Sequence, residues 1–223
     1  MIDLASLYRF RFDEADLPGK MRIWRTLCAD FFQQFIPTES TVLDVACGYG
    51  EFINNIEAKR KHAIDLNADV KRFLRDDVNF HLTRADTMEG VESDSIDIAF
   101  TSNFLEHLES KDVCDAVLGE VLRVLRPGGK FIVMGPNIRY LAGEYWDFYD
   151  HHLPLSNLSL EEGLAIAGFR VNTNIARFLP YTTRSAIPQH PLLVKMYLKF
   201  RPAWHILGRQ FLLVAEKPGK SSD

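Results

Sequence analysis

A short apolar run, Thr41-Val42-Leu43-Asp44-Val45, passes directly into Ala46-Cys47-Gly48-Tyr49-Gly50. A buried strand that ends in a turn of small residues is the entry signature of an open α/β sheet, where the backbone comes close to a ligand. By itself such a turn also reads as a tight strand-to-helix connection with no ligand. The downstream segments decide the fold class. Ala63-Ile64, Val78 to Leu82, Asp97 to Thr101 and Lys130 to Met134 read as further strands. Between them, Glu51 to Lys59 and Val70 to Leu74 read as short helices, and Asp112 to Leu125 as a strong one with Val113, Ala116, Val117, Val121, Leu122 and Leu125 on one face. Pro127-Gly128-Gly129 stops that helix. Strands that alternate with helices imply βαβ units and a mainly parallel sheet. Upstream, residues 1–38 read as an amphipathic helical segment, closed by Pro37. Downstream, Leu160 to Gly168 reads as a helix closed by glycine, Phe169 to Phe178 and Gln210 to Lys217 as strands, and Leu192 to Phe200 as a helix in the insertion between them.

The chain has 223 residues, enough to bury one such domain, and no linker divides it. A formal net charge of −4 gives no electrostatic footprint for nucleic acid. Cys28, Cys47 and Cys114 are far apart and form no C-x-x-C pair, so neither a zinc site nor a disulfide framework is expected, and a reducing, cytoplasmic setting fits best. No apolar run is long enough to span a bilayer, and the N-terminus, with Arg9, Arg11, Asp13 and Glu14, does not read as a signal peptide.

The ligand chemistry is read from the glycine turn together with Asp65 and Asp86. Asp65 ends the second strand, about twenty residues beyond the glycine turn, where an acid accepts both hydroxyls of a ribose. Asp86 comes after the third strand, where a carboxylate can accept from an adenine amino group, although taken alone it reads more readily as a loop carboxylate in water. A pyrophosphate would need a third glycine opening a helix N-terminus, but Glu51 stands there and would repel it. A cationic sulfonium tolerates both Asp44 and Glu51. On these residues VLDVACGYGEF (Val42 to Phe52) resembles the first motif of the class I S-adenosylmethionine-dependent methyltransferases, of the type 11/23-like kind. AIDLN (Ala63 to Asn67), ADT (Ala85 to Thr87), FTSNFLEHL (Phe100 to Leu108) and LRVLRPGGKF (Leu122 to Phe131) are similar to its later motifs in order and spacing. Ala46 departs from the glycine that the family often has.

The resemblance implies an α/β, Rossmann-like fold: a mostly parallel sheet, helices on both faces and an antiparallel last strand. It implies one domain over 1–223, with an N-terminal helical cap (1–38), a cofactor-binding core (39–135), an acceptor-side region and lid insertion (136–208) and a last strand (209–217). It implies S-adenosylmethionine as cofactor. Asp44, Ala46, Gly48 and Gly50 would line its methionine part. Asp65 and Leu66 would hold the ribose and one adenine face, and Ala85, Asp86 and Thr87 the adenine edge. Ser102, Asn103 and Phe104 would approach the amino acid end and the methyl group. Glu106 and His107 are common in the family here, and they equally suit a lock on the following helix.

An alcohol acceptor needs its proton removed, typically worth about 10²–10⁴-fold. YWDFYDHHLPLS (Tyr145 to Ser156) offers Asp150, His151 and His152 beside Tyr149 and further aromatics, so the base is expected at His151 or His152, with Asp150 and Tyr149 in support. Adjacent histidines rarely point at one ion, and no metal is expected. Asn137 and Arg139 read either as acceptor contacts or as turn chemistry. Tyr8 to Phe12 reads either as a cover over the cofactor or as a solvated helix face. Leu192, Leu193, Met196, Tyr197 and Phe200 form an apolar stripe, read first as a lid or dimer face packed on the core and second as a membrane-surface contact. YWDFYDHH and the segment from Pro180 to Phe211 resemble a subgroup associated with bacterial polysaccharide and glycolipid genes. The expected acceptor is therefore a sugar or glycan hydroxyl. A small metabolite methylated on oxygen or nitrogen, and a non-catalytic binding protein, are the alternatives. A second copy of the chain is a further expected partner.

Overall fold

The computed structural model describes residues 17–181 and 190–219. Its strands are β1 (Thr41–Val45), β2 (Arg60–Asp65), β3 (Val78–Leu82), β4 (Ile96–Ser102), β5 (Leu125–Pro136), β6 (Arg170–Ile175) and β7 (Gln210–Glu216). Its α-helices are α1 (Leu17–Asp30), α2 (Lys111–Val124), α3 (Asn157–Ile166), α4 (Pro191–Lys199) and α5 (Arg201–Leu207). The strands form one sheet in the order β3-β2-β1-β4-β5-β7-β6. β1 to β5 pair in parallel, and β7 runs antiparallel to both β5 and β6. This is the Rossmann-like methyltransferase arrangement that the resemblance implied.

β1 is buried along its whole length, as a central parallel strand covered on both faces must be. Its side chains alternate between two cores. Leu43 and Val45 join Val117, Val121 and Leu164 from α2 and α3, whereas Val42 joins Cys28, Phe32 and Trp204 from the other side. The second core is strongly aromatic: Phe52 stacks on Phe100 at 3.6 Å, and Phe32 meets both rings edge-on.

Several elements end where local chemistry dictates. Ser110 caps α2 by accepting from the Val113 amide at 3.3 Å. Ser156 and Ser159 form a reciprocal capping box that starts α3 three residues before the apolar pattern does. Gly168 closes that helix region with φ +101°.

Three local expectations change. Residues 51–56 form irregular turns instead of a helix. The Asn54 side chain ties this segment to the 73–75 backbone, donating to the Phe73 carbonyl at 2.8 Å and accepting from the Arg75 amide at 3.0 Å. α5 is an additional helix, because Pro202 sits in its first turn, where no backbone N–H is needed. The apolar stripe faces outward. Leu192, Leu193, Met196 and Phe200 are exposed, while Leu198 is buried and Tyr197 donates to the Phe178 carbonyl at 2.6 Å. Tyr8 to Phe12 lies outside the described residues. No helix among the described residues is long and apolar enough to cross a membrane.

Candidate cofactor and acceptor site

The strand order reverses between β1 and β4, and in this fold the ligand crevice opens beyond the carboxyl ends of the strands there. A cleft lies at that place. Ala46, Asp65, Leu66, Ala85, Asp86 and Phe104, all anticipated from the sequence, line it. Thr83, Arg84, Leu108, Val113 and Val117 line it too. The last three were readable only as the apolar face of α2 and its approach, with nothing local to separate a cleft wall from core.

The turn after β1 is held open by its backbone. Ala46, Gly48 and Gly50 have φ of +58°, +53° and +73°. Ala46 thus adopts the left-handed conformation without being glycine, a local strain of the kind that collects at functional sites. Asp65 ties this turn to β2: its Oδ2 accepts from the Gly48 amide at 3.1 Å and its Oδ1 from the Asn67 amide at 2.9 Å. Burial raises the Asp65 carboxyl above its ordinary value, although these backbone bonds pull the other way. Asp44 lies deeper. Burial, and next the charge of Glu51, push it well above the usual carboxylate range, with Asp65 adding to the effect against a backbone hydrogen bond from Ile53. Glu51 is itself paired with Lys20 at 2.5 Å. With Glu51 already paired, the buried Asp44 and Asp65 leave this turn an acidic surrounding that suits a sulfonium and an ammonium group.

Asp86 reaches the cleft with both oxygens held by Arg84, at 2.8 and 2.6 Å, and this hydrogen-bonded guanidinium holds its carboxyl below the ordinary value. Thr87 is exposed beside it. Ser102 is half-buried at the end of β4. Asn103 comes next at φ +51°, a left-handed turn that asparagine tolerates, and donates to the Ser102 hydroxyl at 3.2 Å.

The segment after β4 crosses the cleft rim. Phe104 and Leu108 line the cleft, and between them Glu106 and His107 turn toward the 145–153 loop. The Glu106 carbonyl accepts from the amides of His152 and Leu153, at 2.8 and 3.1 Å. The His107 Nδ1 donates to the Asp150 carboxylate at 3.0 Å. Burial lowers the His107 pKa, but the bond to Asp150 and the charges of Glu106 and Asp150 outweigh it, so the net shift is upward. His151 is buried; its Nδ1 donates to the Tyr145 carbonyl at 2.8 Å and Phe148 stacks on its ring. Tyr145 is wholly buried and pins the loop, donating to the Leu153 carbonyl at 2.5 Å. The structure therefore brings Asp150 and His151 together with Glu106 and His107, and leaves His152 and Tyr149 exposed to solvent. Asn137 is fully engaged within the fold, donating to Asn157 and to the Ala176 carbonyl, both at 2.9 Å.

Comparison with known proteins agrees with this fold. Residues 43–133 match the family model described as methyltransferase domain. No curated protein matches the chain. Among solved structures, a chain of the complex between the Haloferax volcanii Trm112 methyltransferase activator and a methyltransferase shares 18% identity, covering 98% of this chain and 99% of that one, with a TM-score of 0.69. A SAM-dependent methyltransferase from Archaeoglobus fulgidus shares 20% identity over 96% and 100% of the two chains, with a TM-score of 0.66. Geranyl diphosphate C-methyltransferase from Streptomyces coelicolor shares 14% identity over 84% and 76%, with a TM-score of 0.60. At these identities the solved structures speak for the fold, and the domain match speaks for the chemistry. Residues 43–133 are thus a methyltransferase domain seated on the Rossmann-like methyltransferase fold, and the chain is an enzyme that transfers methyl groups.

Proposed function

We propose that the enzyme methylates a hydroxyl group of a sugar or glycan precursor, and that His151 takes the hydroxyl proton. The observation that carries this reading is the placement of His151 beside Glu106 and His107, which lie between the cleft residues Phe104 and Leu108. The sulfonium is already a good leaving group, so the protein has to align the acceptor oxygen in line with the methyl and exclude water. A hydroxyl also needs a base within reach. The Tyr145 carbonyl holds the His151 ring in the tautomer whose Nε2 carries the lone pair, which is the form a base requires. Exposed Trp146 and Tyr149 flank this loop and offer flat faces on which a sugar ring stacks. Around the cofactor, Asp65 takes the ribose hydroxyls, Asp86 the adenine edge, and Ala46, Gly48 and Gly50 the methionine part, above the buried Asp44. The sugar class rests on the resemblance of YWDFYDHH and of the C-terminal insertion to the polysaccharide-associated subgroup.

The test is transfer of a labelled methyl group from S-adenosylmethionine to hydroxyl-bearing sugars and to matched amino sugars. Label on oxygen, reduced about 10²-fold or more in His151→Ala and less than about 10-fold in His152→Ala, is the expected result. S-adenosylhomocysteine should bind both variants as it binds the parent, and bind Asp65→Ala more weakly. Label found on nitrogen, or equal rates in both histidine variants, would sink the reading and favour a small-metabolite N-methyltransferase.

A further inference from the structure

Glu106 and His107 come just after β4, and His151 comes from a loop more than forty residues later. The fold nonetheless brings one donor atom from each within 4.8 Å of the other two. We propose that these three side chains form a binding site for a divalent transition metal of the zinc type. Two imidazoles and a carboxylate are a donor set that zinc and its neighbours accept with an open fourth position, whereas magnesium favours oxygen alone. The surroundings are those of ligating histidines. The His107 Nδ1 donates to the Asp150 carboxylate at 3.0 Å and the His151 Nδ1 to the Tyr145 carbonyl at 2.8 Å. Such bonds fix the ring orientation, raise the basicity of the opposite nitrogen and leave the Nε2 lone pair for the ion. Glu106 is 4% exposed and His151 5%, so two donors are preorganised out of water, while half-buried His107 leaves one side open to an incoming ligand. Bonds of about 2.0–2.1 Å in a tetrahedron set donors roughly 3.3 Å apart, a contraction that small side-chain rotations supply.

The proposal deepens the hydroxyl-methylation reading and, in what it adds to catalysis, rests on it. An ion here would lower the pKa of a bound acceptor hydroxyl so that its proton can leave to solvent water, and His151 would then hold the ion in place of taking the proton. The binding site itself is testable without any acceptor. The full-length protein, stripped by chelator and dialysed, is titrated with Zn²⁺ by calorimetry and with Co²⁺ by visible absorption, with Mg²⁺ as the hard-ion control. The expected result is one equivalent of Zn²⁺, a Co²⁺ ligand-field band, and no comparable Mg²⁺ affinity. His107→Ala and His151→Ala should each lose Zn²⁺ affinity by more than about 100-fold, Asp150→Asn should lose about 10–100-fold, and His205→Ala, on exposed α5, should lose none. Far-ultraviolet circular dichroism checks the fold; if one alanine variant fails it, His107→Gln or His151→Gln takes its place. Absence of Zn²⁺ binding, binding unchanged in the histidine variants, or a preference for Mg²⁺ overturns the site. Hydroxyl methylation by a protein without Zn²⁺ affinity would remove the metal and leave the function; Zn²⁺ affinity in a protein that methylates nitrogen would do the reverse.

Discussion

Replacing Gly50 by alanine separates the two demands that the β1 turn makes on its backbone. Gly48 and Gly50 both have positive φ, and both must lose about 1–2 kcal/mol when a Cβ is added in that conformation. Reduced freedom of the unfolded chain returns about 0.4–1 kcal/mol in each case. The space around them differs. A Cβ on Gly48 would stand 3.5 Å from its nearest neighbour, the Glu51 carboxylate, which is ordinary contact. A Cβ on Gly50 would stand 2.6 Å from Leu74 Cδ2 and 2.8 Å from Asn54 Nδ2. Asn54 cannot swing away cheaply, because both ends of its amide are bonded to the 73–75 backbone. Overpacking of this kind adds about 1–3 kcal/mol. Gly48→Ala should therefore cost about 1 kcal/mol and Gly50→Ala about 2–4 kcal/mol. In urea, with a slope near 2 kcal/mol/M, the midpoints should fall by about 0.5 M and about 1–2 M. Gly48→Ala, in the turn proposed to hold the methionine part of the cofactor, should instead show its larger effect on S-adenosylhomocysteine affinity. Equal stability losses in the two variants, or a larger one for Gly48→Ala, would refute the packing argument.

Asp44→Asn imitates the protonated carboxyl that burial favours, so thermal scans should show an unliganded protein that loses no stability at alkaline pH and gains less from added S-adenosylmethionine. The raised carboxyls of Asp44 and Asp65 give the same opposition a pH dependence. Between the ordinary Asp value of 3.8 and their raised folded values, the folded state holds more protons than the unfolded one. Their contribution to unliganded stability is thus present below 3.8 and lost as pH rises through that window, while S-adenosylmethionine affinity rises across it. Titrations at several pH values with opposite trends would contradict the assignment. Tyr145→Phe leaves the buried Leu153 carbonyl without its donor and should cost about 1–3 kcal/mol, read by denaturation. Because Tyr145 pins the loop that carries Asp150 and His151, methyl transfer should fall more than cofactor affinity does.

Much of the cofactor side was legible along the chain. The β1 strand and its small-residue turn are contiguous, Asp65 ends the very next strand, and each is required locally, by burial, by left-handed φ or by a β-strand end. The strand and helix alternation then leaves little freedom in the sheet, and the antiparallel β7 completes what the family resemblance implied. The decisions that escaped the sequence share a physical cause, in that each depends on what packs against a residue from far away. Periodicity found the apolar stripe of α4 but could not say which face the rest of the chain would cover, and Leu192, Met196 and Phe200 remain in solvent while Leu198 turns inward. Asp86 was read as a carboxylate facing adenine, and its bidentate partner Arg84 became visible only in three dimensions. His151 and His152 are equivalent as letters; the 145–153 loop buries the first and exposes the second because the Tyr145 hydroxyl and carbonyl anchor one side of it. Motif and periodicity, which are local, determined the fold class and the cofactor. Which titratable groups face one another across the acceptor side was decided by tertiary packing, since the bonds joining Glu106 and His107 to residues 150–153 exist only once the sheet has formed.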